Sequence, residues 1–192
     1  MTAHFFEMRR LEGLSNTIFG VAMTLLAFQI PKDLLGTNIP SFGTIWHAYE
    51  TRLLALLLSF AVAGIFWFSH QRRLAYAPHG GRIAVLINLL FLLSIILLPA
   101  TSGLYGTYSD VADVIALYGF HLTLISSLNV VLWLIAAAPC RDRFMIGGPL
   151  FSTLTLFLAS IVALFAPKVT AFVLPVAFFG PVVSALFERK GN

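Results

Sequence analysis

The sequence predicts an all-α integral membrane protein of six transmembrane helices per subunit, and three observations predict it. Hydrophobic residues make up 59% of the 192 positions, charged residues only 10%, and the mean hydropathy is +0.91. Soluble domains carry roughly 45–50% apolar and about 25% charged residues, so an ordinary soluble fold is excluded. The apolar residues form long continuous runs, not the alternation of a membrane β-barrel. The spans are therefore helices, which satisfy their own backbone hydrogen bonds in lipid.

A crossing needs ~20 mostly apolar residues to traverse a hydrocarbon core of roughly 30 Å. Six segments meet this in order: Leu14–Ile30, Leu53–Ser69, Ile83–Pro99, Val111–Ala137, Pro149–Ala166 and Val169–Phe187. The stretch Pro31–His47, punctuated by Pro31, Gly36, Pro40 and Gly43, reads as a loop, as does Thr101–Asp110, rich in Gly, Ser and Tyr. Only Pro167 and Lys168 separate the last two spans, which predicts a tight helical hairpin. No segment has the composition of a soluble domain, so residues 1–192 are expected to form one transmembrane domain. The first apolar run follows Arg9 and Arg10, lacks a small-residue cleavage site and ends in Gln29-Ile30-Pro31, so it reads as a mature span.

Orientation follows from the basic residues. With a cytoplasmic amino terminus, Lys32, Arg52 and Lys168 fall outside, and the other nine of the twelve Lys and Arg fall inside. The positive-inside bias therefore places both termini in the cytoplasm. The pI near 9.6 reflects these scattered pairs and gives no basic patch for nucleic acid. A single cysteine, Cys140, excludes an intrachain disulfide and a cysteine metal cluster. His4, His47, His70, His79 and His121 show no ligand spacing, and no catalytic constellation or phosphate loop is visible. Neither an enzyme, a metal site nor a cofactor is expected.

The acidic residues all fall at span ends or in loops. Coupled carriers usually place a carboxylate deep in the membrane, so their absence counts against a coupled transporter. Ser15, Asn16, Trp67, His70 and Asn88 all lie near the cytoplasmic ends of the first three spans, with Arg10 just below. Polar side chains in a bundle hydrogen-bond across helices, and a network tying three helices is one reading of this shared depth. The other is that Trp67 anchors at the interface and His70 is solvated at a helix end. His121 and Asn129 in the fourth span, eight apart on roughly one face, read as packing residues. At 100° per residue, Arg10, Thr17, Val21, Thr24 and Phe28 share one face of the first helix, with Leu25 on its flank. Gly13 and Gly20 sit on a neighbouring stripe that permits close helix approach. This face fits either a functional surface or a plain lipid-facing one whose threonines bond their own carbonyls.

The segment Arg10-Leu11-Glu12-Gly13-Leu14-Ser15-Asn16-Thr17-Ile18-Phe19-Gly20-Val21-Ala22-Met23-Thr24-Leu25-Leu26 resembles the first helix of prokaryotic relatives of the lysosomal potassium channel, transmembrane protein 175. Three further stretches agree in order: Gly64-Ile65-Phe66-Trp67-Phe68-Ser69-His70, Asn88 through Pro99, and Ala116-Leu117-Tyr118-Gly119. The resemblance covers the first four spans.

It implies a potassium-selective, leak-like channel of a bacterial plasma (inner) membrane, with potassium as the permeant ion. A homotetramer of six-helix subunits would surround one pore lined by first helices, without a carbonyl filter loop. Gly103-Leu104-Tyr105-Gly106 indeed lacks the Thr-Val-Gly-Tyr-Gly order of such a filter. Position by position, the resemblance puts an apolar constriction at Val21, Leu25 and Phe28, and a selectivity-related threonine at Thr24. It puts a polar network at Arg10, Ser15, Asn16, Trp67, His70 and Asn88. The family pattern Phe-Ser-Asp is Leu14-Ser15-Asn16 here, and Asn16 cannot balance the charge of Arg10. Phe28 stands where an aliphatic residue is usual. The alternatives to a channel are a small carrier or exporter and a non-conducting membrane scaffold. Saturation and proton coupling would mark the carrier, and absence of any ion flux the scaffold.

Overall fold

A computed structural model describes residues 6–28, 41–76, 79–137 and 146–179. Helix α1 runs Met8–Ala27, α2 Phe42–Tyr76, α3 Arg82–Thr107, α4 Ala112–Ala137, α5 Gly147–Phe165 and α6 Pro167–Val173, the last continued by a 3-10 helix over Leu174–Phe179. Two two-residue strands, β1 (Phe6–Glu7) and β2 (His79–Gly80), pair antiparallel, with Phe6 opposite Gly80 and Glu7 opposite His79. Among the described residues four helices are long and apolar enough to cross a membrane: Arg52–Tyr76, Arg82–Thr107, Ala112–Ala136 and Gly147–Phe165, with Leu11–Ala27 a shorter apolar helix. The chain is a multi-pass membrane protein. The predicted span Val169–Phe187 enters the described residues only as far as position 179, and both termini lie outside them.

Two expected loops are partly helical. Ser41 caps α2: its Oγ accepts the Thr44 N–H at 3.2 Å and pairs with the Thr44 hydroxyl at 2.8 Å. A serine there satisfies one of the donors orphaned at a helix start, so residues 42–47 are helix. The second expected loop, Thr101–Asp110, begins as helix because α3 continues through Pro99 to Thr107. Proline removes one helical N–H, yet the turns beyond it are held locally. Thr101 Oγ1 donates to the Leu98 carbonyl at 3.2 Å, and Thr107 Oγ1 to that of Gly103 at 2.9 Å. Tyr105 stacks on Tyr118 of α4, with ring centroids 4.9 Å apart at 11°. The Gly103–Gly106 stretch is thus helical.

The core lies between α1, α2, α3 and α4, where Phe19, Phe66, Phe91, Ile95, Tyr118, Leu122 and Ile125 are buried together. On the other side α4 and α5 approach closely. A Cβ added to Gly119 would stand 3.3 Å from the Ser160 Cα. Ser160, Ala159 and Ala163 are all fully buried there, the small-residue contact expected of helices in lipid. Ser152 Oγ near the start of α5 donates to the Ala177 carbonyl at 2.8 Å, which folds the 3-10 helix back along α5 as a hairpin.

Candidate functional site

Helix α1 has two faces of different character. Ser15, Phe19, Ala22 and Leu26, spaced by four, three and four residues, are buried against the bundle. Opposite them, Thr17 and Thr24 are exposed, with Val21 52%, Leu25 40% and Phe28 74% exposed. Thr17 Oγ1 donates to the Gly13 carbonyl at 2.9 Å and Thr24 Oγ1 to that of Val21 at 2.8 Å. Each hydroxyl therefore keeps its oxygen lone pairs outward. Phe28 stands just past the helix end, its N–H bonded to the Leu25 carbonyl at 3.1 Å. A shallow apolar groove lined by Thr17, Ile18, Val21, Ala22, Leu25 and Ile96 runs beside this face between α1 and α3.

At the other level of α1 the polar side chains meet α2 and α3. Asn16 Oδ1 accepts from Trp67 Nε1 at 3.0 Å and also from Gln71 Nε2. Ser15 Oγ donates to the Leu11 carbonyl at 2.7 Å and lies 3.4 Å from His70 Nε2. That same nitrogen is 3.0 Å from Asn88 Oδ1, which also accepts from Arg73 Nη2 at 2.8 Å. Ser15, His70 and Asn88 are fully buried and Arg73 is 2% exposed. The Arg10 backbone belongs to α1, but its side chain lies outside the described residues. His70 is buried rather than solvated, stacked on Phe91 with centroids 5.5 Å apart.

Residues 10–99, which carry both of these α1 surfaces, match the family model of the endosomal/lysosomal potassium channel TMEM175. The match takes in just under half of the chain, from the start of α1 into α3. A curated relative, a potassium channel of Streptomyces collinus, is 30% identical over 125 residues, 62% of this chain. The match spans about 59% of that relative's length. The crystal structure of a TMEM175 homolog from Chamaesiphon minutus, described as a lysosomal potassium-selective channel, shares the fold. Its TM-score is 0.76 over 97% of this chain and 98% of that one, at 20% identity.

Two residues of the cluster around Asn16, His70 and Asn88 escaped the sequence reading, Arg73 and Gln71. Arg73 was expected among the cytoplasmic charges that set topology. The available signal was its position three residues after His70, on one helical face. His121 and Asn129, expected only to pack, make polar contacts. His121 Nδ1 is 2.8 Å from Thr101 Oγ1, and its Nε2 donates to the Ser94 carbonyl at 3.1 Å. Asn129 Nδ2 and Trp133 Nε1 both donate to Ser69 Oγ, each at 3.0 Å. A third cluster joins Ser59 to Ser102 at 2.6 Å and to Tyr118 at 2.9 Å. Among the described residues no group of three His, Cys, Asp or Glu side chains is placed to hold a metal.

Proposed function

We propose that this protein is a potassium-selective, leak-like channel of a bacterial plasma membrane. Four copies of one six-span domain, residues 1–192, with both termini cytoplasmic, surround a single pore lined by α1. The observation that carries this reading is the α1 face bearing Val21, Thr24, Leu25 and Phe28, which is exposed among the described residues although the opposite face is buried. The family-model match over residues 10–99 and the relatives described as potassium channels point the same way.

In this arrangement rings of Val21, Leu25 and Phe28 form the constriction. An apolar ring blocks ions by dewetting, so conduction requires the ring to widen or the ion to shed part of its water. Potassium holds its hydration shell less tightly than sodium and passes more readily. Each Thr24 donates its hydrogen to Val21, which leaves an oxygen facing the axis to replace a lost water ligand. Arg10, Ser15, Asn16, Trp67, His70 and Asn88 form the network that holds the base of α1 against α2 and α3.

Reconstitution in liposomes under opposed potassium and sodium gradients tests this directly. Potassium flux exceeding sodium flux is expected, with Leu25→Asn raising it about tenfold or more by removing the dewetting barrier. A cysteine placed at Val21 is expected to cross-link subunits. Absence of ion flux from an assembled protein would sink the channel reading. Flux insensitive to Leu25→Asn and Phe28→Ala would show that α1 does not line the pore.

A further inference from the structure

We infer that Arg73 is a positioning residue that sets the polarity of the hydrogen bonds reaching α1, by fixing the Asn88 amide and through it the position of the hydrogen on His70. The inference rests on the proposed pore-lining role of α1 only for its effect on conduction; the hydrogen-bond chain stands on geometry alone.

A guanidinium carries five N–H donors and no acceptor. Arg73 Nη2 lies 2.8 Å from a side-chain atom of Asn88. That atom must be the amide oxygen, because the amide NH2 would set donor against donor. His70 Nε2 is 3.0 Å from the same oxygen, so Nε2 must carry a hydrogen. Ser15 Oγ, 3.4 Å from that nitrogen, directs its own hydrogen to the Leu11 carbonyl at 2.7 Å. It therefore turns a lone pair toward His70, and the Nε2–H is shared between Asn88 on α3 and Ser15 on α1. One donor on α2 orders three helices.

Without Arg73 a second arrangement opens. The Asn88 amide rotates half a turn and presents Nδ2 to His70. Nε2 becomes the acceptor, the ring hydrogen moves to Nδ1, and the Ser15 hydrogen swings from Leu11 toward the ring. The two arrangements use the same atoms with opposite polarity, and only Arg73 tells them apart.

Arg73 is held where it can do this. It is 2% exposed, its guanidinium carbon stands 5.8 Å from the centroid of the Phe91 ring, and His70 stacks on that ring. No carboxylate lies within ion-pair distance of it among the described residues. Its Nη1, His70 Nδ1 and Asn88 Nδ2 are buried without hydrogen-bond partners there. A carboxylate would have taken the guanidinium's donors for itself; the Phe91 ring attracts the charge and leaves Nη2 for Asn88.

The test is nitrogen NMR of the full chain labelled at histidine, with the His70 signals assigned by loss in His70→Gln. In the wild type the ring hydrogen is expected on Nε2, with Nδ1 bare. Arg73→Lys, which still donates to Asn88, is expected to keep that pattern. Arg73→Met, which keeps much of the packing volume, is expected to raise the Nδ1–H form roughly tenfold. A hydrogen on Nδ1 in the wild type overturns the inference whether or not any variant folds. An Arg73→Met spectrum identical to the wild type also overturns it. In liposomes Arg73→Met is expected to change basal potassium flux about threefold or more, with Lys restoring it. If Leu25→Asn raises flux while Arg73→Met does not alter it, the link from Arg73 to α1 is wrong. If no variant conducts but the NMR switch occurs, the channel reading fails and the polarity assignment stands.

Discussion

The junction of α1, α2 and α3 and the contact of α4 with α5 are both buried, and they are built by opposite means. The first relies on long polar side chains. His70, Arg73 and Asn88 share bonds through one amide oxygen, and each retains a buried nitrogen with no hydrogen-bond partner among the described residues. The second relies on backbones brought together at Gly119 and Ser160. There Thr123 donates to the Gly119 carbonyl and Ser160 to that of Leu156, while Ser126 pairs with Thr153. Side-chain polarity can be rearranged without moving a helix; a backbone contact cannot. The difference predicts that the α4–α5 contact is the fixed part of the chain and the base of α1 the adjustable part.

The largest expected effect comes from removing the shared acceptor. Asn88→Leu leaves the buried guanidinium without its hydrogen bond to α3 and is expected to destabilise the protein by about 3 kcal/mol. Thermal unfolding in mild detergent checks this. A loss no larger than that of Leu86→Ala, an exposed position on α3, would show that the polar junction contributes little. Next comes Gly119→Ala, which forces a methyl group against Ser160. Overpacking of this kind costs roughly 1–3 kcal/mol, and Ser160→Gly in the same chain is expected to recover most of it. A neutral Gly119→Ala would mean that the α4–α5 contact yields easily and is not the fixed part.

The smallest effect is expected at Asn16, whose oxygen already accepts from Trp67 and Gln71 on α2. Asn16→Asp makes both bonds charge-assisted, roughly twice as strong as neutral ones. Desolvation near the membrane edge offsets part of that gain. A modest rise in melting temperature and a change in basal flux are expected, both reduced by Gln71→Leu. A coupling energy of zero between positions 16 and 71 in a double-mutant cycle would leave Asn16 as an ordinary helix-end residue.

Hydropathy and helical periodicity carried much of this in advance. Among the described residues the apolar runs located every long helix, and the 100° wheel grouped Thr17, Val21, Thr24 and Phe28, all of which are exposed. The common depth of Ser15, Asn16, Trp67, His70 and Asn88 was also legible. Arg73 was not, because counting charges for topology assigns each arginine to water, and only tertiary contacts reveal that this one is buried. The lengths of α2 and α3 were missed for a related reason. Gly and Pro signal loops when water can solvate freed backbone groups, whereas here serine and threonine hydroxyls and a tyrosine stack extend the helices. The Gly119–Ser160 approach leaves no periodic trace, since a glycine's role depends on what faces it.

The pairing of Phe6 with Gly80 and Glu7 with His79 makes a closed circuit of the chain from β1 through α1 and α2 to β2. A closed circuit restricts kinematics selectively. Sliding α1 along its own axis would have to shear the two-residue bridge, whereas tilting or twisting α1 about that bridge leaves the pairing whole. The far end of the lever is then Ala27, some 30 Å along a 20-residue helix, where a small angular change at the clasp becomes the largest displacement anywhere on α1, just before Phe28.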